Sequence, residues 1–126
     1  MGIEKNISKA IELFEISAKN GNKKAINNLA MIYYKESVVK NNFKAKQFFE
    51  ESAENGNNIS MYNLARMYER GEGVEKDVEK AIELFIKSSE SGNIYSLYHL
   101  AKLYEKGIFI LLYIYFIFIF YFLFMF

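Results

Sequence analysis

Apolar residues in most of the chain recur at offsets of three and four, in six short blocks separated by polar residues and glycines. In one block, for example, Met61, Leu64 and Tyr68 follow one another at these offsets. Such offsets place side chains on one stripe of an α-helix, so that each block can bury one face and expose the other. The pattern therefore predicts six helices, over residues 6–20, 23–36, 42–55, 58–70, 77–91 and 94–106.

The six blocks form an internal repeat of two alternating patterns. A Lys-Ala pair recurs with its alanine at Ala10, Ala45 and Ala81, at intervals of 35 and 36 residues, and a phenylalanine follows each alanine by four. The intervening blocks each carry a Leu-Ala pair with a tyrosine four residues after the leucine. Periods of this length are typical of helical solenoids, in which helix pairs stack because no pair can bury its apolar face alone. The sequence predicts an all-α solenoid of about three repeats.

Short polar residues and glycines mark the predicted helix ends. Asn6, then Asn41 or Asn42, and then Asp77 precede three of the helices, where a side-chain oxygen can accept hydrogen bonds from free backbone N–H groups. Gly71 and Gly107 are predicted to end two of the alternate helices, because glycine adopts the left-handed conformation of a helix end at low cost. Glycines also follow the three capped helices, at Gly21, Gly56 and Gly92.

The repeat resembles the Sel-one-like repeat (SLR), a relative of the tetratricopeptide repeat. Residues 64–85, which read LARMYERGEGVEKDVEKAIELF, carry the best match, and the resemblance extends over residues 2–107. It implies stacked helix pairs and an extended concave surface lined by the helices of the Leu-Ala-x-x-Tyr pattern. It also implies a scaffold that holds protein partners in multi-protein assemblies.

Composition and charge exclude several classes of function. The chain has no cysteine, which removes disulfide frames, thiolate nucleophiles and cysteine-ligated zinc. Its 16 basic and 15 acidic residues nearly cancel, so we expect no nucleic-acid partner. The single histidine, His99, shares a repeat column with Asn28 and Asn63, which predicts a polar surface position. We therefore expect no enzyme activity, catalytic residue, cofactor, metal site or small-molecule substrate.

Candidate partner-binding residues lie beside the core positions of the helices that the resemblance assigns to the concave face. They occupy three columns that step by four and then three, so together they form one stripe across the array. Tyrosine and arginine, favoured anchors at protein interfaces, occur among them; the alternative is that all are ordinary solvent-facing residues. The stripe consists of Asn27, Met31, Tyr34, Tyr62, Arg66, Glu69, Tyr98, Lys102 and Glu105.

The last 19 residues, Ile108–Phe126, contain only Ile, Phe, Leu, Tyr and Met. As a helix they extend about 28 Å, against a hydrocarbon core of about 30 Å, and their Ile, Leu and Phe side chains favour insertion by about 5–9 kcal/mol. Lys102 and Lys106 precede the segment and favour a cytosolic body. Three interpretations are open: a membrane anchor, a mistranslated stretch arising from a gene-model error, or a buried helix that completes the last repeat.

We predict two parts, an array at residues 1–107, with units near 2–36, 37–71 and 72–107, and the apolar tail Ile108–Phe126. The predicted function is a non-catalytic scaffold or adaptor that binds an unidentified protein on its concave face. One alternative is a tail-anchored adaptor in membrane protein quality control, and another is a truncated fragment of a larger repeat or signalling protein. Because the N-terminus carries no apolar run typical of a secretory signal, we expect a cytoplasmic location and no secretion, with anchoring in a membrane through the tail as an open alternative.

Overall fold

The computed structural model describes residues 5–125, apart from the side chains of residues 108 and 109. Residues 1–4, where the predicted first unit begins, and Phe126, where the predicted tail ends, lie outside the described residues. The described chain forms six α-helices and contains no strand. The helices are α1 (Ile7–Lys19), α2 (Lys23–Lys35), α3 (Asn42–Glu54), α4 (Asn58–Arg70), α5 (Val78–Glu90) and α6 (Ile94–Met125).

The predicted all-α solenoid is confirmed, and the helix bounds agree to within one residue everywhere except at the end of α6. Gly71 adopts the left-handed conformation (φ 71°, ψ 36°) and ends α4 as expected. The prediction that Gly107 ends a helix is wrong, because α6 runs through it to Met125. Gly107 has no positive φ, and the long apolar residues after it continue the helix instead of turning back toward the array.

Every helix begins behind an asparagine or aspartate cap. The side chains of Asn6, Asn41 and Asp77 accept hydrogen bonds of 3.0–3.1 Å from the backbone N–H three residues on, which confirms the predicted caps. The caps of the other three helices, α2, α4 and α6, were not predicted from the sequence. These are Asn22, Asn57 and Asn93, whose side chains also accept from the first turn. Each cap is worth about 1 kcal/mol, so the helix starts are fixed locally along the whole array.

The core is a continuous column between successive helices. Phe49 and Phe85 are fully buried at its centre, and the small residues Ala30, Ala45 and Ala65 are also fully buried. The alanines let neighbouring helices approach, and the phenylalanine rings fill the remaining space. The most extensive contacts are those of α2 with α3 and of α4 with α5. Successive helix pairs therefore contact each other more extensively than the two helices within a pair do.

Buried serines fasten the two helices of a pair to each other. The Ser52 and Ser60 hydroxyl oxygens lie 2.6 Å apart between α3 and α4, and those of Ser88 and Ser96 lie 2.7 Å apart between α5 and α6. All four side chains are fully buried, so these hydrogen bonds satisfy groups that would be costly to leave unpaired.

The tail of α6 projects beyond the array as a bare apolar helix. Each side chain from Ile110 to Met125 is 37–75% exposed. The interpretation of the tail as a buried helix completing the last repeat is therefore wrong, because a straight continuation of α6 leads away from the other helices. Among the described residues, α6 is the one helix long and apolar enough to cross a membrane, a criterion of length and composition alone.

Candidate functional site

The nine stripe residues lie on α2, α4 and α6, three on each helix. The six on α2 and α4 are half-buried, whereas Tyr98, Lys102 and Glu105 on α6 are exposed. The difference follows from the stacking, since α2 and α4 each have a later repeat beside them and α6 has none among the described helices. The structure thus joins the first six to neighbouring repeats and leaves the last three facing solvent.

The α2 end of the stripe is held by contacts to the next repeat. The Tyr34 hydroxyl donates a 2.7 Å hydrogen bond to Glu72 Oε2, and the ring meets Phe49 edge-on at 5.9 Å. Burial, and then the hydrogen bond to the Glu72 carboxylate, raise the pKa of Tyr34. Asn27 Oδ1 lies 2.7 Å from the Ser60 hydroxyl. These contacts fix the rotamers of Tyr34 and Asn27 before any partner arrives.

The middle of the stripe is organised around His99, which belongs to the following repeat. The imidazole stacks on Phe85 at 5.1 Å, and its Nε2 lies 3.0 Å from the Tyr62 hydroxyl. Glu69 Oε2 lies 3.7 Å from Nδ1. Burial is the main cause that lowers the pKa of His99, against the opposing effect of Glu69. In the neutral tautomer that carries its proton on Nδ1, the Nε2 atom accepts a hydrogen bond from the Tyr62 hydroxyl and the Nδ1–H is directed toward the Glu69 carboxylate.

Arg66 packs against this cluster, and Met31 contacts α4 beside it. The Arg66 guanidinium lies 5.6 Å from the centroid of the Tyr62 ring, a cation–π distance. Arg66 Nε is buried and makes no hydrogen bond to any residue the structure describes. Met31 Sδ lies 3.4 Å from the side-chain nitrogen of Asn63. The stripe therefore runs without a break from α2 to α4 as a half-buried layer of rings and polar groups.

The α6 end of the stripe is more open. Tyr98 is 62% exposed and touches His99 only with the edge of its ring, at 5.9 Å. Lys102 donates a 2.8 Å hydrogen bond to Glu105. This contact raises the pKa of Lys102 and lowers the pKa of Glu105. Because both side chains are about half exposed to solvent, the pair can separate at little cost.

A groove of about 820 Å³ adjoins the stripe. Glu69 and His99 form part of its wall, and the remaining lining comes from the end of α4, the loop that precedes α5, the first turns of α5, and α6. Apolar residues alternate there with cations, which suits a side chain with an apolar body and an acidic end. The other lining residues are Arg70, Lys76, Val78, Ile82, Leu103, Lys106, Gly107 and Ile110.

Sequence reasoning missed two residues of this site. It placed His99 at a polar surface, whereas the side chain is only 23% exposed and lies between Phe85 and Glu69. The partner of Tyr34, Glu72, lies 38 residues away in a loop. The repeat column of His99 gives no consistent signal, because it also holds Asn28, which is exposed, and Asn63, which is buried. No local pattern points to Glu72.

The family model of the Sel1 repeat matches four successive segments of the chain, at residues 1–22, 23–57, 58–93 and 94–111. The chain belongs to the Sel1 repeat family. This confirms the resemblance to Sel-one-like repeats. Proteins built from Sel1 repeats are generally non-catalytic scaffolds that bind other proteins. The division into units near 2–36, 37–71 and 72–107 stays a prediction.

Solved structures with the same architecture confirm the fold. A Sel1 repeat protein from Oxalobacter formigenes is 26% identical with a TM-score of 0.76, over 84% of this chain and 43% of that one. The protein c5321, a protective antigen of uropathogenic Escherichia coli strains with an SLR fold, is 30% identical with a TM-score of 0.71, over 78% of this chain and 21% of that one. This chain thus spans less than half the length of either protein.

A third structure shows the fold alone. Helicobacter pylori cysteine rich protein B is 19% identical with a TM-score of 0.66, and the match covers 74% of this chain and 71% of that one. No curated protein matches the chain.

The stripe and the groove combine aromatic, apolar and charged side chains. The described residues include no group of three or more His, Asp or Glu side chains placed to hold a metal ion. His99 Nδ1 and Glu69 Oε2 are 3.7 Å apart. What the stripe and the groove offer together is an ordered aromatic surface with charges of both signs.

Proposed function

We propose that the chain is a non-catalytic adaptor that holds a protein partner along the stripe and in the adjoining groove. The observation that carries this proposal is the continuity of the stripe over three helices, with its α2 and α4 portions already ordered by contacts between repeats. Aromatic and arginine side chains held in one rotamer lose little entropy on binding, and such residues dominate interface energies. Tyr98 and Lys102, exposed beside the groove, would make the outermost contacts.

A photo-crosslinking experiment tests this surface directly. A benzophenone amino acid replaces Tyr98 in one version of the full chain, and it replaces the exposed Glu90 of α5 in the matched control. Illumination in the producing cell is expected to yield a covalent adduct of one defined mass from position 98 and none from position 90. The same adduct from both positions, or none from position 98, would contradict binding at the stripe.

We propose further that the tail anchors this adaptor in a membrane. The supporting observation is that α6 carries exposed apolar side chains on all sides from Ile110 to Met125. Such a surface is stable in hydrocarbon, where a helix satisfies its own backbone hydrogen bonds. An anchor of this kind is consistent with a cytoplasmic array tethered to a bilayer.

Two matched double variants test the anchor. Phe116→Lys with Phe120→Lys introduces an insertion penalty of about 5–7 kcal/mol, which offsets most of the favourable insertion energy of the tail. Phe116→Leu with Phe120→Leu keeps the tail apolar. We expect the leucine variant to resist alkaline extraction from membranes and the lysine variant to be released. Equal extraction of the two would refute a spanning tail.

A further inference from the structure

Two contacts between successive repeats are copies of one joint. Between α2 and α3, Lys44 Nζ lies 5.1 Å from the centroid of the Tyr33 ring, and Phe48 stacks on the same ring at 5.9 Å. Between α4 and α5, Lys80 Nζ lies 5.1 Å from the centroid of the Tyr68 ring. In both cases the tyrosine lies in the last turn of the Leu-Ala-x-x-Tyr helix, and the lysine lies in the first turn of the following Lys-Ala-x-x-x-Phe helix. We call this arrangement the repeat joint.

The two halves of a third repeat joint lie at opposite ends of the described array. Tyr104 of α6 occupies the tyrosine position, and it is 59% exposed where Tyr33 and Tyr68 are each 8% exposed. Lys9 and Leu13 of α1 occupy the positions of the lysine and of the side chain one turn later. Leu13 is 54% exposed.

The small residues of the joint show the same contrast. Ala30 and Ala65, which precede the joint tyrosines by three, are fully buried beneath the following helix. Ala101, the corresponding residue of α6, is exposed. The face of α6 that carries Ala101 and Tyr104 is therefore shaped for a helix of the Lys-Ala-x-x-x-Phe pattern, and α1 is such a helix.

We propose that α1 of a second copy of this chain docks on α6, with Lys9 over the Tyr104 ring and Leu13 against the face that carries Ala101. The docked pair repeats a contact that the chain already makes twice, so its geometry is a continuation of the array. One element differs. Asn41 N–H donates to the Tyr33 carbonyl at 2.8 Å, whereas the Tyr104 carbonyl is used inside the continuing α6. The new contact relies on the cation–π and apolar parts of the joint.

The contact is head-to-tail, so it joins unlike surfaces and leaves one free half at each end of a pair. A single helix face on another is a small interface, below about 1,200 Å² in total. We therefore expect reversible association that rises with concentration, which sedimentation can follow.

Two substitutions on α1 distinguish this contact from nonspecific hydrophobic association. The full chain is studied in neutral detergent as wild type, as Leu13→Glu and as Ile16→Glu. Leu13→Glu places a carboxylate in the joint, where burial without a partner weakens association by about tenfold or more. Ile16→Glu removes a similarly exposed apolar residue, but at a position where the in-chain helices carry Glu51 and Lys87. We expect Leu13→Glu to abolish association and Ile16→Glu to leave it unchanged.

Crosslinking then fixes the direction of the contact. The chain has no cysteine of its own, so a Lys5→Cys chain mixed with a Glu105→Cys chain can be joined by a short bismaleimide at one pair of sites. These two positions border the proposed contact and correspond by repeat to Lys40 and Tyr34, whose Nζ and ring centroid lie 5.6 Å apart. Dimers are expected from this mixture and not from Lys5→Cys mixed with Val38→Cys, which lies in a loop. A monomeric wild type, equal effects of the two glutamate variants, or crosslinking that ignores position would each overturn the proposal.

Discussion

The loop between α4 and α5 offers a pair of glycines that separates backbone strain from steric overlap. Gly71 and Gly73 have nearly the same φ, 71° and 68°. A Cβ at Gly71 would lie 3.2 Å from the Cβ of Lys76 and 3.5 Å from its backbone nitrogen, so the loop would have to move by only a few tenths of an ångström. A Cβ at Gly73 would lie 2.6 Å from the Cβ of Asn42 and 3.1 Å from its backbone carbon and oxygen, at the start of α3. Alanine is therefore strained at both positions but fits at only one.

The expected costs follow from these distances. The left-handed conformation costs alanine about 1–2 kcal/mol at either position. At Gly73, forcing α3 and the loop apart adds about 1–3 kcal/mol. We expect Gly71→Ala to lower the free energy of unfolding by about 1–2 kcal/mol and Gly73→Ala to lower it by about 2–5 kcal/mol.

Urea unfolding followed by far-ultraviolet circular dichroism measures the difference in the full chain, in neutral detergent. With a slope of about 1–3 kcal/mol per molar urea, the Gly73→Ala midpoint should lie about 1 M below that of Gly71→Ala. The slope itself should not change, since the same surface unfolds. If Gly71→Ala destabilises the chain as much as Gly73→Ala does, the packing of this loop against α3 is not what fixes its path.

Three further predictions concern the core and the site. Phe85→Ala, in a fully buried position, should lower the free energy of unfolding by about 3–5 kcal/mol, and Phe14→Ala, half-buried at the array's edge, should cost clearly less in the same urea assay. The pKa of His99 is lowered in the folded chain, so the unfolded state binds a proton first as the pH falls through about 6.5, and the free energy of unfolding should decrease below that pH. Melting curves should show a smaller decrease in stability with pH for His99→Gln than for the wild type. An identical decrease in the two proteins would contradict the burial of a neutral imidazole. Ser60→Ala breaks contacts to two neighbouring helices and should cost about 1–3 kcal/mol by urea unfolding, whereas Ser60→Cys should recover part of it.

The helices were predictable from sequence because their determinants are local. A cap such as Asp77, one stripe of apolar residues and a glycine at a left-handed turn act within a few residues of one another, and three copies of the pattern reinforce the assignment. The end of α6 was not predictable by the same reasoning. Gly107 looks like Gly71 in sequence, but only the residues that follow decide whether the backbone turns.

The site was predictable in its residues and not in its contacts. The stripe follows from helical spacing, which fixes direction around an axis but not distance to the next helix. The bond from Tyr34 to Glu72 and the stacking of His99 on Phe85 depend on how closely repeats approach. Buried alanines such as Ala65 set the distance between neighbouring helices, and they do so only when the helices are stacked.

In the anchored adaptor that we propose, the uninterrupted α6 would fix the distance between the stripe and the membrane. With the apolar segment in a bilayer, the rise of about 1.5 Å per residue sets Tyr98 about 15 Å, and Glu105 about 5 Å, along the helix axis from the point where that segment begins. Because α6 is one continuous helix from Ile94 to Met125, the distance between the stripe and the apolar segment is fixed. A partner of the proposed adaptor would therefore bind close to the lipid headgroups. The tilt of the anchor in the membrane would then also be the tilt of the stripe. A bilayer thin enough to incline the helix would swing the whole binding surface with it.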